Sequence, residues 1–149
     1  MEVKQVLRSL SESSGVSGYE HGLVSLIQES CPWADEIKTD QLGNVIMLKK
    51  GHGTGQRPKV MLAGHMDEIG LIITKIEKEG FLRFSTVGGF DQRVLLAQEV
   101  VVHGKKPLTG VIGAKPPHIQ AAGEQSQAVK MEDLFIDVGF ASQAEAEEE

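Results

Sequence analysis

The chain has 149 residues, enough for one ordinary domain or for pieces of two. Its composition, 40% hydrophobic and 24% charged, is typical of a globular protein, and its formal charge of −6 argues against nucleic-acid binding, which needs a basic surface. No apolar run approaches the roughly 20 residues of a membrane span, and the first residues lack a signal-peptide core. The single cysteine, Cys31, excludes an internal disulfide and is expected to be structural, so a cytoplasmic location is predicted.

The first part of the chain predicts two helices. An apolar stripe at helical spacing opens the chain and ends at a serine–glycine stretch; it consists of Val3, Val6, Leu7 and Leu10. Ser17-Gly18-Tyr19-Glu20 has the pattern of a capping box, in which the Ser17 hydroxyl accepts from the Glu20 amide and the Glu20 carboxylate reaches back. Glu20 is therefore interpreted as a cap rather than a catalytic acid. The second helix is expected to continue to Pro32.

Beyond Pro32 the apolar period becomes that of strands. Short strands are predicted at residues 36–40 and 45–48, around a turn at residues 41–44. Residues 59–64 form an apolar run without alternation, which is typical of a central strand buried on both faces. Two helices followed by such a strand predict an α/β sheet with helical cover.

From residue 71 onward strands dominate the pattern. Two strands flank a hairpin-like break at residues 77–80, and others follow; the predicted strands are residues 71–76, 81–84, 99–103, 110–112 and 133–138. Their close spacing is typical of a small barrel or sandwich, which places a domain boundary near residue 70. Residues 114–130 are expected to form a long loop, mobile in its second half. A capping box at residues 142–145 begins a last helix without an apolar face. We expect either that this short helix frays or that the chain has been cut just as the helix begins, and we favour the cut.

His65 and Asp67 follow directly after the predicted strand at residues 59–64. Residues two apart in extended backbone point to the same side, and ligands of open α/β sheets bind beyond the carboxyl ends of the strands. A metal-binding histidine usually donates its other ring N–H to a carboxylate. The spacing alone therefore indicates either a metal ligand with its orienting carboxylate or a hydrogen-bonded surface pair.

The stretch from Ala63 to Gly70, AGHMDEIG, resembles the first metal-site motif of the M42 family of metallo-aminopeptidases, the glutamyl and tetrahedral aminopeptidases sometimes labelled endoglucanase M. Further segments resemble family segments in the family order: SGYE at 17–20, TDQLGN at 39–44, VGGFD at 87–91, KPPH at 115–118 and DLFIDVG at 133–139. The resemblance implies an α/β chain. Residues 1–70 would be the N-terminal piece of a phosphorylase/peptidase-like α/β/α catalytic domain, and residues 71–149 an inserted β-barrel-like (PDZ-like) dimerisation domain.

The resemblance also implies two divalent metal ions, zinc or cobalt, that activate a bridging water. His65 matches the family's first histidine ligand, and Asp67 matches the catalytic carboxylate that orients it. The family's other ligands and its Glu-Glu pair lie beyond the inserted domain, so we expect a truncated or split enzyme that is inactive alone. Structural or surface roles are expected for the remaining histidines, His21, His52, His103 and His118.

Three functions remain open. The chain is either part of an aminopeptidase that releases N-terminal residues from short peptides, or a non-catalytic assembly module from the same family. The third, a cellulase, would need two carboxylates around a sugar bond, and seven aromatic residues give little support for a sugar platform. We expect a homo-oligomer or association with a missing C-terminal half, and neither nucleic acid nor membrane as partner.

Overall fold

The computed structural model describes residues 2–119 and 128–149, and the chain divides into two compact units, Met1–Glu68 and Ile69–Glu149. The second half of the predicted loop at residues 114–130 lies largely outside the described residues. Within the described ranges, no helix is both long and apolar enough to cross a membrane. Each unit is built from its own helices and its own sheet.

The first unit contains two helices and a two-stranded antiparallel sheet: α1 (Val3–Glu12), α2 (His21–Ser30), β1 (Glu36–Thr39) and β2 (Val45–Leu48). The β1–β2 turn is held by the Asp40 carboxylate, whose Oδ1 accepts from the amides of Leu42 and Asn44 at 2.9 Å each. Gly43 adopts φ +86° there, a left-handed conformation that glycine reaches without strain. The predicted helices, strands and turn of this region are confirmed.

The predicted capping box at the start of α2 is wrong. The helix begins at His21, and Glu20 in the N-cap position makes no side-chain capping bond. Instead, Gly18 adopts φ +90° in a turn closed by the Tyr19 amide and the Val16 carbonyl, 2.7 Å apart. Positive φ at that place is what a type II turn requires. The Glu20 carboxylate accepts from the Gly18 amide at 2.8 Å, and the Ser17 hydroxyl is directed to another partner.

The predicted central strand at residues 59–64 is also wrong. Residues 49–67 contain no helix or strand, and the side chains of Val60, Met61 and Leu62 are 82%, 88% and 94% exposed. A buried strand needs backbone partners at its edges and side chains over its faces. In the described part of the chain, β1 and β2 pair with each other and not with this segment. The apolar pattern is present, but no strand among the described residues pairs with this segment.

The second unit is a five-stranded antiparallel sheet with the strand order β3-β4-β7-β6-β5. Its elements are β3 (Gly70–Ile76), β4 (Leu82–Val87), β5 (Glu99–His103), β6 (Pro107–Gly113), β7 (Phe135–Asp137), α3 (Gln143–Glu147) and 3-10 helices at Gln92–Val94, Pro117–Ile119 and Met131–Asp133. The predicted strands and the hairpin at residues 77–80 are confirmed, although β7 is shorter than residues 133–138. Buried side chains form its core: Leu82, Leu95, Ile112, Leu134 and Ile136.

The last helix, α3, starts where the sequence predicts. The Ser142 hydroxyl accepts from the Glu145 amide at 3.3 Å, whereas the Glu145 carboxylate accepts from the Ala141 amide at 2.9 Å rather than from that of Ser142. The helix does have an apolar contact, because Ala146 packs against the core. Its end is tied to the β5–β6 turn by Lys106 Nζ, 2.6 Å from Glu149 Oε1.

Candidate metal site

His65 and Asp67, the two predicted site residues, lie in direct contact. His65 Nδ1 is 3.2 Å from Asp67 Oδ1 and 3.0 Å from the Asp67 backbone oxygen. Both oxygens can only accept, so in the neutral imidazole the contacts assign the proton to Nδ1 and leave the lone pair on Nε2. The His65 side chain is 86% exposed, so this lone pair is accessible to a ligand.

A third residue, Ser17, joins the pair, and sequence reasoning missed it. Its hydroxyl donates to Asp67 Oδ2 at 2.6 Å. This hydrogen bond is the main reason that the pKa of the Asp67 carboxyl lies below its usual value, with smaller contributions from the Asp67 amide and from His65. The one signal that could have found Ser17 is the family resemblance, which includes both its segment and that of Asp67.

Backbone pairing holds the two segments of the site together. The Glu68 amide donates to the Gly15 carbonyl at 2.8 Å, and the Gly15 amide donates to Glu68 Oε1 at 2.9 Å, next to a parallel bridge between Val16 and Glu68. Gly15 has no room for a side chain, since a Cβ there would lie 2.2 Å from Leu23 Cδ1. The buried Leu23 of α2 therefore packs closely against Gly15, at the start of the Gly15–Ser17 segment.

The residues at hand fit part of a metal site. Within residues 2–119 and 128–149, no group of three or more His, Cys, Asp or Glu side chains is arranged to hold a metal ion. A catalytic zinc needs three protein ligands and a water, and a neutral imidazole held by a carboxylate is a typical single ligand. His65 matches that description, with Nε2 as the coordinating atom. The other histidines lie at exposed positions: His21, His52, His103 and His118.

Comparison with known proteins gives consistent matches. The family model described as M42 glutamyl aminopeptidase matches residues 43–149. The lysyl aminopeptidase of Pyrococcus furiosus is 41% identical over 148 residues, which cover 97% of this chain and 42% of that protein. The crystal structure of a TET aminopeptidase from a marine sediment thaumarchaeon aligns with a TM-score of 0.90 at 41% identity, covering 97% of this chain and 41% of its own.

A second solved structure adds information on assembly. The TET1 peptidase of Pyrococcus horikoshii, which can assemble into a tetrahedron or a large octahedral shell, aligns with a TM-score of 0.76 at 38% identity. The alignment covers 99% of this chain and 43% of that one. The chain thus spans about two fifths of the length of the relatives that it matches.

Proposed function

We propose that this chain, which belongs to the M42 family of aminopeptidases, supplies part of a catalytic site. The complete site would be that of a metal-dependent enzyme that releases N-terminal residues from short peptides. In this proposal His65 is a metal ligand through Nε2, and Asp67 is the carboxylate that orients its ring. The observation that carries the proposal is the contact of His65 Nδ1 with two acceptors of Asp67, at 3.0 and 3.2 Å, which reserves Nε2 for coordination.

The family generally uses divalent metal ions, and we propose two ions, zinc or cobalt, in the assembled site. When bound, such ions would lower the pKa of a coordinated water and so supply the nucleophile. The contribution of this chain is to hold one imidazole in one tautomer and one orientation. A catalytic metal needs further ligands. We therefore propose that these 149 residues are inactive until other residues supply those ligands, since the described residues contain no group of three or more His, Cys, Asp or Glu side chains that could hold a metal ion.

The two units are proposed to have different roles. Residues 1–70 would be the first piece of an α/β/α catalytic domain, and residues 71–149 an inserted PDZ-like barrel that mediates dimerisation. The separate core and antiparallel sheet of Ile69–Glu149 support an independent domain. The shells formed by the Pyrococcus horikoshii relative support a homo-oligomer. We also propose a cytoplasmic location, in keeping with the single Cys31.

One alternative function is favoured by a specific observation. The described residues offer one matched metal ligand, whereas the second unit has a complete core of its own. A chain of this kind could serve as a non-catalytic assembly module of the same family. A cellulase is less well supported, since the chain has only five phenylalanines, one tryptophan and one tyrosine for a sugar-binding surface.

The decisive experiment measures cobalt- or zinc-stimulated release of p-nitroaniline from aminoacyl p-nitroanilides. The 149-residue chain is assayed alone and after mixing with the portion of the Pyrococcus furiosus lysyl aminopeptidase that it does not match. We expect no release by the chain alone and release by the mixture. His65→Ala should abolish that release, and His52→Ala, a matched exposed histidine outside the site, should leave it unchanged.

Each contrary result has a distinct meaning. Turnover by the isolated chain would contradict the incomplete site. Activity of the mixture that survives His65→Ala would contradict the assignment of His65. A stable complex without any activity would favour the assembly module over the split enzyme.

A further inference from the structure

Asp67 uses its two carboxylate oxygens for two different partners. Oδ2 accepts from the Ser17 hydroxyl at 2.6 Å, and Oδ1 lies 3.2 Å from His65 Nδ1. The terminal torsion of an aspartate is broad, so a carboxylate held at one oxygen can rotate with little resistance. A second, charge-assisted bond at the other oxygen removes that freedom. Ser17 is thus placed to fix the plane in which Asp67 faces His65.

The Ser17 hydroxyl is itself held in place by the backbone. It follows Val16, which forms the parallel bridge with Glu68, and precedes Gly18, whose φ of +90° sets the turn. The Gly18 amide donates to the Glu20 carboxylate at 2.8 Å, which secures the turn from its far side. Ser17 therefore reaches Asp67 from a segment anchored on both sides.

We infer that Ser17 is a positioning residue: its hydroxyl holds the Asp67 carboxylate, which in turn holds the His65 ring with Nε2 free. This inference rests on the function proposed above for His65 and Asp67. Ser17 is not a nucleophile in this arrangement. In a Ser-His-Asp triad the serine donates to the imidazole, whereas here it donates to the Asp67 carboxylate, whose other oxygen faces the imidazole.

The test reads the ring of His65 in the metal-free 149-residue chain. Long-range ¹H–¹⁵N correlation spectra at a pH where the imidazole is neutral report which ring nitrogen carries the proton. We expect the Nδ1–H tautomer to predominate in the unaltered chain. Ser17→Ala should lower the ratio of Nδ1–H to Nε2–H at least about threefold. A change of that size corresponds to only part of the free energy of a charge-assisted hydrogen bond. Ser17→Thr, which keeps the hydroxyl, should restore the ratio.

The matched control is Ser11→Ala, which removes a hydroxyl that donates to the Leu7 carbonyl at 2.7 Å in the same unit. It should leave the His65 signals unchanged. An unchanged ratio in Ser17→Ala would overturn the inference. A loss of the folded amide pattern in Ser17→Ala, with Ser17→Thr still folded, would also overturn it, because the hydroxyl would then hold the unit together rather than one carboxylate.

These readings need neither metal nor substrate, so they separate this inference from the proposed function. If the chain takes no part in peptide hydrolysis, Ser17→Ala still moves the His65 ring signals. If Ser17 does not position Asp67, those signals stay in place while His65→Ala still abolishes the activity of the mixture.

Discussion

Asp91 is held by Arg93 through both of its carboxylate oxygens. Oδ1 accepts from the Arg93 amide at 3.0 Å and from Nε at 2.9 Å, and Oδ2 accepts from Nη2 at 2.6 Å. The hydrogen bonds from the Arg93 side chain are the main reason that the pKa of Asp91 is lowered to about 2. The charged carboxylate also caps the 3-10 helix Gln92–Val94, so its ionisation is coupled to local structure.

This lowered pKa predicts a pH-dependent stability. The folded-state pKa of Asp91 lies below its unfolded value of about 3.8. The contribution of its ionised carboxylate to the free energy of unfolding is therefore complete above that value and is lost as the pH falls through about 2. Urea midpoints of the unaltered chain and of Asp91→Asn, measured from pH 6 down to pH 2, should differ by a constant amount above about pH 5 and converge towards pH 2. A gap that stays constant down to pH 2 would contradict the assignment.

Gly80 gives a second prediction at the scale of one residue. It has φ +87° in the β3–β4 turn, and a Cβ there would lie 2.5 Å from the Phe140 carbonyl oxygen. Gly139 has a similar φ of +83° but open space around it, so it is a matched control for backbone strain alone. Measured by urea unfolding, Gly139→Ala should lower the free energy of unfolding by about 1–2 kcal/mol. Gly80→Ala should lower it by about 3 kcal/mol or more, because the backbone strain and the steric clash both contribute. Equal losses would contradict the predicted clash.

The site shows which single residues a sequence can predict. His65 and Asp67 are two apart, and extended backbone brings such neighbours together. Ser17 is 50 residues from Asp67, and its local sequence satisfies a capping box equally well. A charge-assisted bond is roughly twice as strong as a neutral one. The distant carboxylate therefore outcompetes the local cap, and hydrogen-bonding rules applied to the sequence around Ser17 predict the cap instead.

Among the elements, β7 is the strand that completes the second unit. It lies between β4 and β6, where Ile136 pairs with Leu82 on one side and Ile112 on the other. All three side chains are buried, and their strands come from distant parts of the sequence. The core of the sheet therefore depends on β7.

Ile136→Ala is expected to destabilise the chain by about 2–5 kcal/mol, the usual cost of deleting a buried branched side chain. The matched control is Val101→Ala in β5, where the side chain is largely exposed, and it should cost less than about 1 kcal/mol. The free energies of unfolding are measured by urea titration followed by circular dichroism. Similar losses in both variants would contradict the role of β7.

Elements also differ in how far their own sequence determines them. The β3–β4 hairpin is predictable because its turn is local: Gly80 supplies the positive φ, and the Gly80 amide donates to the Glu77 carbonyl at 2.9 Å. The segment at residues 59–64 has an equally clear apolar pattern, yet it is not a strand. A central strand forms only with partners on both edges, and local sequence carries no information on whether they are present.

At the scale of the whole chain, burial is distributed unevenly between the units. Among the described residues, Leu23 is the buried apolar side chain of the first unit, whereas the second has five. Hydrophobic burial is the dominant favourable contribution to folding. The first unit thus has the smaller apolar core and also exposes Val60, Met61 and Leu62. We predict that a second polypeptide that completes the site binds at these three exposed side chains.

Leu62 and Leu42 allow this association to be tested with one matched pair of variants. Both are leucines of the first unit, 94% and 89% exposed, but Leu42 lies in the β1–β2 turn. When the unmatched portion of the Pyrococcus furiosus relative is added, hydrogen exchange at residues 59–64 should slow, because the segment gains backbone partners. Leu62→Asp should weaken the complex at least about tenfold in sedimentation experiments, since burying an unpaired charge is costly. Leu42→Asp should leave it unchanged; equal effects, or unaltered exchange at residues 59–64, would contradict this binding surface.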